Sequence, residues 1–301
     1  MTQFAKRKID VKFTMGPTEN LVTKEVTRPT FTESGTDTVS LSGYRAQATI
    51  VKAGGASMGS LQLRLFGLSL SLMNQLSTLG KIPLATRNNS VTVSAGDDEN
   101  GMGVVYVGTI TSAWADMQAA PEVVFIVNAH AGLYEAIAPV KPSSYQGSAS
   151  VEVIMSSLAT QMGLTFENNG VDVKLSNPYF PGTARAQAES CAKAANINWI
   201  IDNGILAIWP KSGQRGGVVP LISPETGMVG YPGYTDTGIT VRTRYNPSIN
   251  YGALVEVKSS LTPACGKWRV YSLAYELESE TNGGVWFTNI SAADPAYAPI
   301  R

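Results

Sequence analysis

Charged side chains are scarce. Only 15% of the 301 residues are Asp, Glu, Lys or Arg, against roughly 25% in an average soluble domain. The 23 basic and 23 acidic groups cancel to a formal net charge of zero. A protein that binds nucleic acid without sequence preference needs a basic excess to displace counterions, and the chain as a whole has none, although local patches are compatible with a zero sum. Histidine occurs once, as His130 in Val127-Asn128-Ala129-His130-Ala131-Gly132. That excludes a multi-His metal site and leaves one candidate base for a Ser–His or Cys–His pair. No G-x-S-x-G elbow accompanies it, so His130 is expected at a loop or strand end with a backbone hydrogen bond. The two cysteines, Cys191 in an Ala-rich segment and Cys265 in a Pro-Ala-Cys-Gly turn, lie far apart and lack CxxC spacing. Two reduced thiols of a chain made in the cytosol are expected, and with a single His they do not make a zinc site.

Long hydrophobic runs are missing too. Val104 to Ile110 and Val123 to Val127 fall far short of the ~20 residues a membrane-spanning helix requires. Lys6, Arg7 and Lys8 lead straight into alternating Ile9, Val11 and Phe13 with no apolar h-region. No secretory signal is therefore expected, the sequons at Asn88 and Asn289 carry no weight, and the chain is expected to be soluble.

What is present is 44% hydrophobic residues and 29 glycines, a mean hydropathy of 0.00, and polarity supplied by Ser, Thr, Asn and Gln. Such a chain is too apolar for disorder, and its length predicts about two domains of roughly 150 residues. Period-two alternation at Ile9/Val11/Phe13, Val39/Leu41, Ala46/Ala48/Ile50 and Leu61/Leu63/Leu65 predicts half-buried antiparallel strands. Lys52 to Gly59, with Gly54 and Gly55, reads as a hairpin loop or a flexible arm. Leu72, Met73, Leu76 and Leu79 predict a helix from Leu70 to Leu79 that Gly80 stops. Strands follow at Val91/Val93, Val105 to Thr109 and Val123 to Val127, with Gly96 to Gly103 a turn. Together these suggest a barrel or sandwich with one helix plugging an end.

The texture changes after Pro139. A linker through Pro142 and Gly147 leads to an amphipathic helix, Val151 to Met162, ended by Gly163. Short strands are expected at Leu164 to Phe166 and Val171 to Leu175, with Pro178 to Gly182 a loop. Thr183 caps a helix reaching about Ala195. Asp202-Asn203-Gly204 between Ile197/Trp199/Ile201 and Ile205/Ala207/Trp209 is a strong hairpin signal. Residues of about 140 to 211 therefore form a small α+β unit. Strands return at Ile239/Val241, Leu254 to Val257, Trp268 to Leu277 and Val285 to Ile290, and a tail begins beyond Asp294.

Few residues suggest chemistry. Asp97, Asp98, Glu99 and Asn100 cluster hard oxygens, yet the alternating calcium-loop pattern is absent and a solvated hairpin tip is the reading. Trp199, Trp209, Trp268 and Trp286 are a potential sugar-stacking set, or core and interface packing at alternating strand positions. Glu225 in Ser-Pro-Glu-Thr-Gly is a potential acid catalyst or a turn carboxylate held by neighbouring amides.

Several ordered motifs carry a resemblance. Asn198-Trp199-Ile200-Ile201-Asp202-Asn203-Gly204-Ile205-Leu206-Ala207-Ile208-Trp209-Pro210-Lys211 is followed by Ile222-Ser223-Pro224-Glu225-Thr226-Gly227-Met228-Val229-Gly230-Tyr231-Pro232. Then come Gly238-Ile239-Thr240-Val241, Tyr245-Asn246-Pro247, Val255-Glu256-Val257-Lys258-Ser259, Gly266-Lys267-Trp268 and Gly283-Gly284-Val285-Trp286-Phe287-Thr288. Over about residues 145 to 291 this resembles the baseplate hub proteins of contractile-tailed bacteriophages, the late control protein D-like family. The first 140 residues match in strand content and size.

The resemblance implies a mainly β chain: a tube-type β-barrel domain at 1–139, the α+β insert at 140–211, and a second tube-type barrel with a C-terminal tail at 212–301. It implies a virion protein of the tail baseplate, a homotrimer whose pseudo-sixfold ring joins the sixfold tail tube to the threefold central spike and ends the channel. Expected partners are tail tube or tube-initiator proteins, the central spike, the tape-measure protein and baseplate wedge proteins, with genome DNA only in transit and no stable membrane insertion. No enzymatic activity, catalytic residue, cofactor or metal is expected. The competing readings are a cell-wall glycan-binding or glycan-cleaving tail component that uses the insert, and a hub-like piece of a secretion or contractile injection device.

Overall fold

A computed structural model describes residues 5–19, 26–27, 30–31, 35–77, 89–118, 120–138 and 140–296. The expected helix stop at Gly80, the strand-flanking Asn88 and the linker residue Pro139 lie outside them. The chain divides into two compact units, each assembled from separated stretches: Met1–Ile50, Ser60–Tyr134 and Glu276–Val285 in the first, Val51–Gly59, Glu135–Tyr275 and Trp286–Arg301 in the second. The fold is mainly β with a small helix-containing part, as the sequence predicts.

The first unit holds β1 (Arg7–Thr14), β2 (Thr18–Glu19), β3 (Val26–Thr27), β4 (Thr38–Leu41), most of β5 (Ala46–Lys52), β6 (Ser60–Phe66), α1 (Leu70–Leu76), β7 (Ser90–Asp97), β8 (Gly101–Asp116) and β9 (Val124–His130). Its strand order is β5-β6-β9-β8-β7-β1-β4, and the ladders from β6 through β4 in that order are antiparallel. The alternation works as read: Ile9, Val11, Phe13, Leu61, Leu63, Leu65, Val91 and Val93 are all buried.

Two boundaries differ from the sequence reading. Helix α1 ends at Leu76 because Ser77 turns extended and binds the Met73 carbonyl with both its N–H and its hydroxyl. The turn read at Gly96 to Gly103 shrinks to Asp98-Glu99-Asn100, since β7 continues to Asp97 and β8 starts at Gly101. A Cβ on Gly96 would stand 1.9 Å from the Gly101 carbonyl oxygen, so glycine here permits two backbones to close rather than marking a loop.

The second unit begins with α2 (Leu133–Ile137), shared with the first, and continues through β10 (Ser143–Ser144), β11 (Ser148–Ser150), α3 (Val151–Gln161), β12 (Thr165–Asn168), β13 (Lys174–Ser176), β14 (Tyr179–Phe180), α4 (Ala184–Ala195), β15 (Ile197–Asp202) and β16 (Ile205–Pro210). Helices α3 and α4 pack on the sheet β12-β16-β15, in which β12 runs parallel to β16. Ile154, Met155, Leu158, Ala188, Cys191, Trp199, Leu206 and Ile208 share one buried core. Thr183 caps α4 by accepting from the Ala186 N–H, and Asn196, left-handed at φ 50, ends it. The strands expected at Leu164 to Phe166 and Val171 to Leu175 are shifted to β12 and β13. The Asn168 side chain bonds both the N–H and the carbonyl of Val171 and bends the chain there.

The remaining strands are β17 (Leu221–Ile222), β18 (Met228–Thr235), β19 (Gly238–Arg244), β20 (Leu254–Val257), β21 (Gly266–Ser279) and β22 (Trp286–Ala293). Within the unit they follow the order β18-β19-β22-β21, with β20 antiparallel on β21 and β17 parallel on β20.

The insert core yields a direct check. Leu158→Ala removes a fully buried side chain and is expected to cost about 2–5 kcal/mol in urea unfolding. Val153→Ala on the exposed face of the same helix is expected to change stability by less than about 0.5 kcal/mol.

Candidate functional site

Most of the residues that the sequence singled out are held by structural bonds. His130 ends β9 and stands opposite Ser60 on β6 and Thr109 on β8, with its Nδ1 buried and without a hydrogen-bond partner. Asp97 accepts from the N–H groups of Glu99 and Asn100 and from the Asn100 side chain, while Asp98 pairs with Lys8. The acidic tip is thus a stapled hairpin turn. Glu225 accepts from the Ser223 hydroxyl at 2.7 Å, which holds its carboxyl below the ordinary range. Trp199, Trp209 and Trp286 are buried, and Trp268 donates its indole N–H to the Ala264 carbonyl. Both cysteines are free: burial pushes the Cys191 thiol up to about 12, and the exposed Cys265 thiol donates to the Ser259 carbonyl. Among the described residues no group of three or more His, Cys, Asp or Glu is placed to hold a metal ion, and no helix is long and apolar enough to cross a membrane.

The polar centre of the second unit is elsewhere. Lys52, Asp202 and Arg215 are each at most 6% exposed. The Lys52 ammonium donates to the Asp202 carboxylate and, at 2.7 Å, to the Asn203 side-chain carbonyl. Arg215 donates to the other Asp202 oxygen at 3.5 Å and grips Glu167 with two bonds of 2.8–2.9 Å. Two cations thus meet two carboxylates, a balance that buried charges require. Burial pushes the Lys52 ammonium down, against the pull of Asp202. Burial also works against the Arg215 charge, but Glu167 and Asp202 outweigh it and hold its pKa above the ordinary value.

A second cation fixes the glycine-rich segment. The Arg185 guanidinium, 5.0 Å from the Trp199 ring, donates to the carbonyls of Gly55, Ala56 and Ser57. The Gly55 N–H adds a bond to the Trp199 carbonyl, and a Cβ on Gly54 would stand 2.6 Å from the Tyr251 ring. Of the two readings of residues 52–59, the hairpin loop holds and the flexible arm does not.

Sequence reasoning missed this network, although one signal was available. Lys52 continues the inward parity of Ala46, Ala48 and Ile50, which places a charge on the core side of β5. The other members of the network, Asp202, Arg215 and Glu167, come from separate stretches that no local pattern connects.

The outward surface of the unit is of a different kind. Among the described residues β18 pairs with β19 alone, leaving its other edge without a strand partner. A register shift between Val229 and Gly233 interrupts it at Tyr231-Pro232, and Tyr231 is 71% exposed. Beside it, a shallow groove of about 380 Å³ is lined mostly by uncharged groups, among them Tyr231, Thr240, Ser272, Asn289 and Ser291, with Arg242 the one charge. Val218, Val219 and Leu221 form a further exposed apolar stretch.

Comparison with solved structures shows a shared fold. The 43 kDa tail protein of prophage MuSo2 from Shewanella oneidensis superposes with a TM-score of 0.56 at 10% identity, over 95% of this chain and 98% of that one. A tail protein from Neisseria meningitidis MC58 gives 0.56 at 8% identity, over 95% and 99%. The E. coli c3393 protein, a component of the type VI secretion system, gives 0.55 at 9% identity, over 85% and 76%. No curated protein matches the sequence significantly. A family profile described as baseplate hub gp41 matches residues 26–288, and the chain belongs to that family: it is a structural component of a phage tail baseplate.

Two measurements test the charge network. Asp202→Ala strands Lys52 in the interior and is expected to cost about 3–5 kcal/mol, most of it recovered in Lys52→Met/Asp202→Leu. A double variant no more stable than the single would show that the pairing is not what the interior requires. The second is pH. The Arg215 hydrogen bonds hold the Glu167 carboxyl below its ordinary value. Its folded pKa therefore lies below its unfolded one, and the pair's contribution is complete above the unfolded value and lost as pH falls through the folded one. Glu167→Gln is expected to flatten that acid limb in a plot of Tm against pH.

Proposed function

We propose that this chain is the central hub of a contractile-tail baseplate, a homotrimer whose subunits each contribute two tube-type barrels, within 1–139 and 212–301, flanking the insert at 140–211. Three subunits then present six similar barrels. One face of the ring meets the sixfold tail tube or its initiator proteins, and the other meets the threefold central spike. The tape-measure protein and the genome pass through the ring, and wedge proteins attach outside it. Assembly takes place in the host cytoplasm, without stable insertion into a membrane.

The family match along residues 26–288 carries this reading. Physical support comes from the unpaired β18 edge and the weakly charged face beside it, since a ring requires wide surfaces that meet copies of the same chain without desolvating many ions. The hub has no hydrolytic role of its own in this reading: Glu225 is tied into its turn, and Trp199, Trp209 and Trp286 are packed in the interior. A glycan-binding tail component would need a stacking platform, and Trp199 and Trp209 are buried. The injection-device reading draws on the E. coli c3393 protein, a type VI secretion component described as similar to the T4 tail proteins gp27 and gp5.

Mass photometry of the purified chain is expected to show three times 32.0 kDa, and class averages a ring with a central hole. Assembled tails are expected to contain half as many hub chains as subunits in one tube ring. A monomer that binds peptidoglycan fragments, or a sixfold hub, would overturn the reading.

A further inference from the structure

Lys52 closes β5 with its side chain in the interior of the second unit, and its Nζ lies 2.7 Å from Oδ1 of Asn203. The C=O bond of that amide is about 1.23 Å long, so the Asn203 carbonyl carbon is within about 3.9 Å of the amine nitrogen. Little movement separates this from the approach distance of a reacting pair. The Asp202 carboxylate accepts from the same Nζ, beside the amide. A buried amine and a buried carboxylate thus meet a part-buried amide carbonyl, the groups that acyl transfer requires.

We propose that Lys52 and Asn203 become joined by an intramolecular isopeptide bond, formed by the folded chain itself. The lone pair of the neutral Lys52 amine adds to Cγ of Asn203, forming the Nζ–Cγ bond while the carbonyl electrons move onto Oδ1. Asp202 takes a proton from Nζ and delivers it to the amide nitrogen. The carbonyl re-forms, the Cγ–Nδ2 bond breaks with its electron pair on nitrogen, and ammonia leaves. The second amine hydrogen stays on the new secondary amide, so the step balances with no oxidant or co-reactant.

Three features prepare it. Burial pushes Lys52 toward the neutral amine, the nucleophilic form. Arg215 donates to the second Asp202 oxygen and so orients the carboxylate. Asn203, left-handed at φ 51, sits in a tight turn with Gly204, and the paired Asp202 and Ile205 on either side hold its amide against the amine. The bond would join β5 to the β15–β16 hairpin across 151 positions of sequence.

Intact mass and tryptic mapping of the purified, folded full-length chain test this. The expected mass is that of the sequence less one ammonia, with no cleavage after Lys52 and a branched peptide linking it to Asn203. Asn203→Gly keeps the left-handed turn and leaves Lys52, Asp202 and Arg215 in place, and is expected to restore both the full mass and the cleavage. Wild-type chain at full mass with normal cleavage after Lys52 would overturn the proposal. So would an ammonia loss confined to an unbranched Asn203 peptide, which marks a succinimide with the Gly204 nitrogen, or a loss that persists in Asn203→Gly.

Discussion

Four ionisable side chains, alternately basic and acidic and three of them almost without access to water, set the geometry of the second unit. Each ion taken from water costs several kcal/mol unless its partners stand at hydrogen-bond distance, so the segments that carry them have little freedom. Lys52 fixes the end of β5, Asp202 the hairpin, Glu167 the outer strand of the small sheet, and Arg215 the glycine-rich connection after β16. Arg215 also accepts no substitute position, because its backbone N–H is bound to Gly252 while its guanidinium spans two carboxylates. Gly252 in turn has no room for a side chain, with a Cβ there standing 2.6 Å from the Trp209 ring. Polar and apolar constraints thus close on one another around the hairpin.

Much of the fold was legible in the sequence, for identifiable reasons. Alternation exposed β1, β5, β6 and β7 because each buries one face, and Asn203-Gly204 exposed its hairpin because two successive left-handed positions select those residues. Thr183 and Gly163 marked helix ends through the bonds and backbone angles they supply. Strand β18 was visible only as a motif, since Gly230, Pro232 and Gly233 break its period and five of its eight residues face solvent. The length of β8 was hidden by the glycines that let it close on β7. The charge network was hidden most thoroughly: its members are unremarkable singly, and only the inward parity of Lys52 gave any sign.

The sparse charge of the chain has a physical use. A good part of the second unit's charge is consumed internally, in the Lys52–Asp202–Arg215–Glu167 network and in the Arg185 clamp on residues 55–57. The groove beside β18 is lined largely by Ser, Thr, Asn, Tyr and small apolar groups, with Arg242 its one charge. Uncharged polar groups exchange water for other hydrogen bonds at a lower desolvation cost than ions do.

The interruption of β18 at Tyr231-Pro232 has a consequence for chains that have not yet found their place in a particle. An unbroken exposed strand offers a full row of backbone donors and acceptors, on which identical chains stack without limit. Here the proline lacks a donor, and the register shift turns the row out of line. The edge is therefore a poorer template for strand-on-strand stacking than an unbroken strand of the same length.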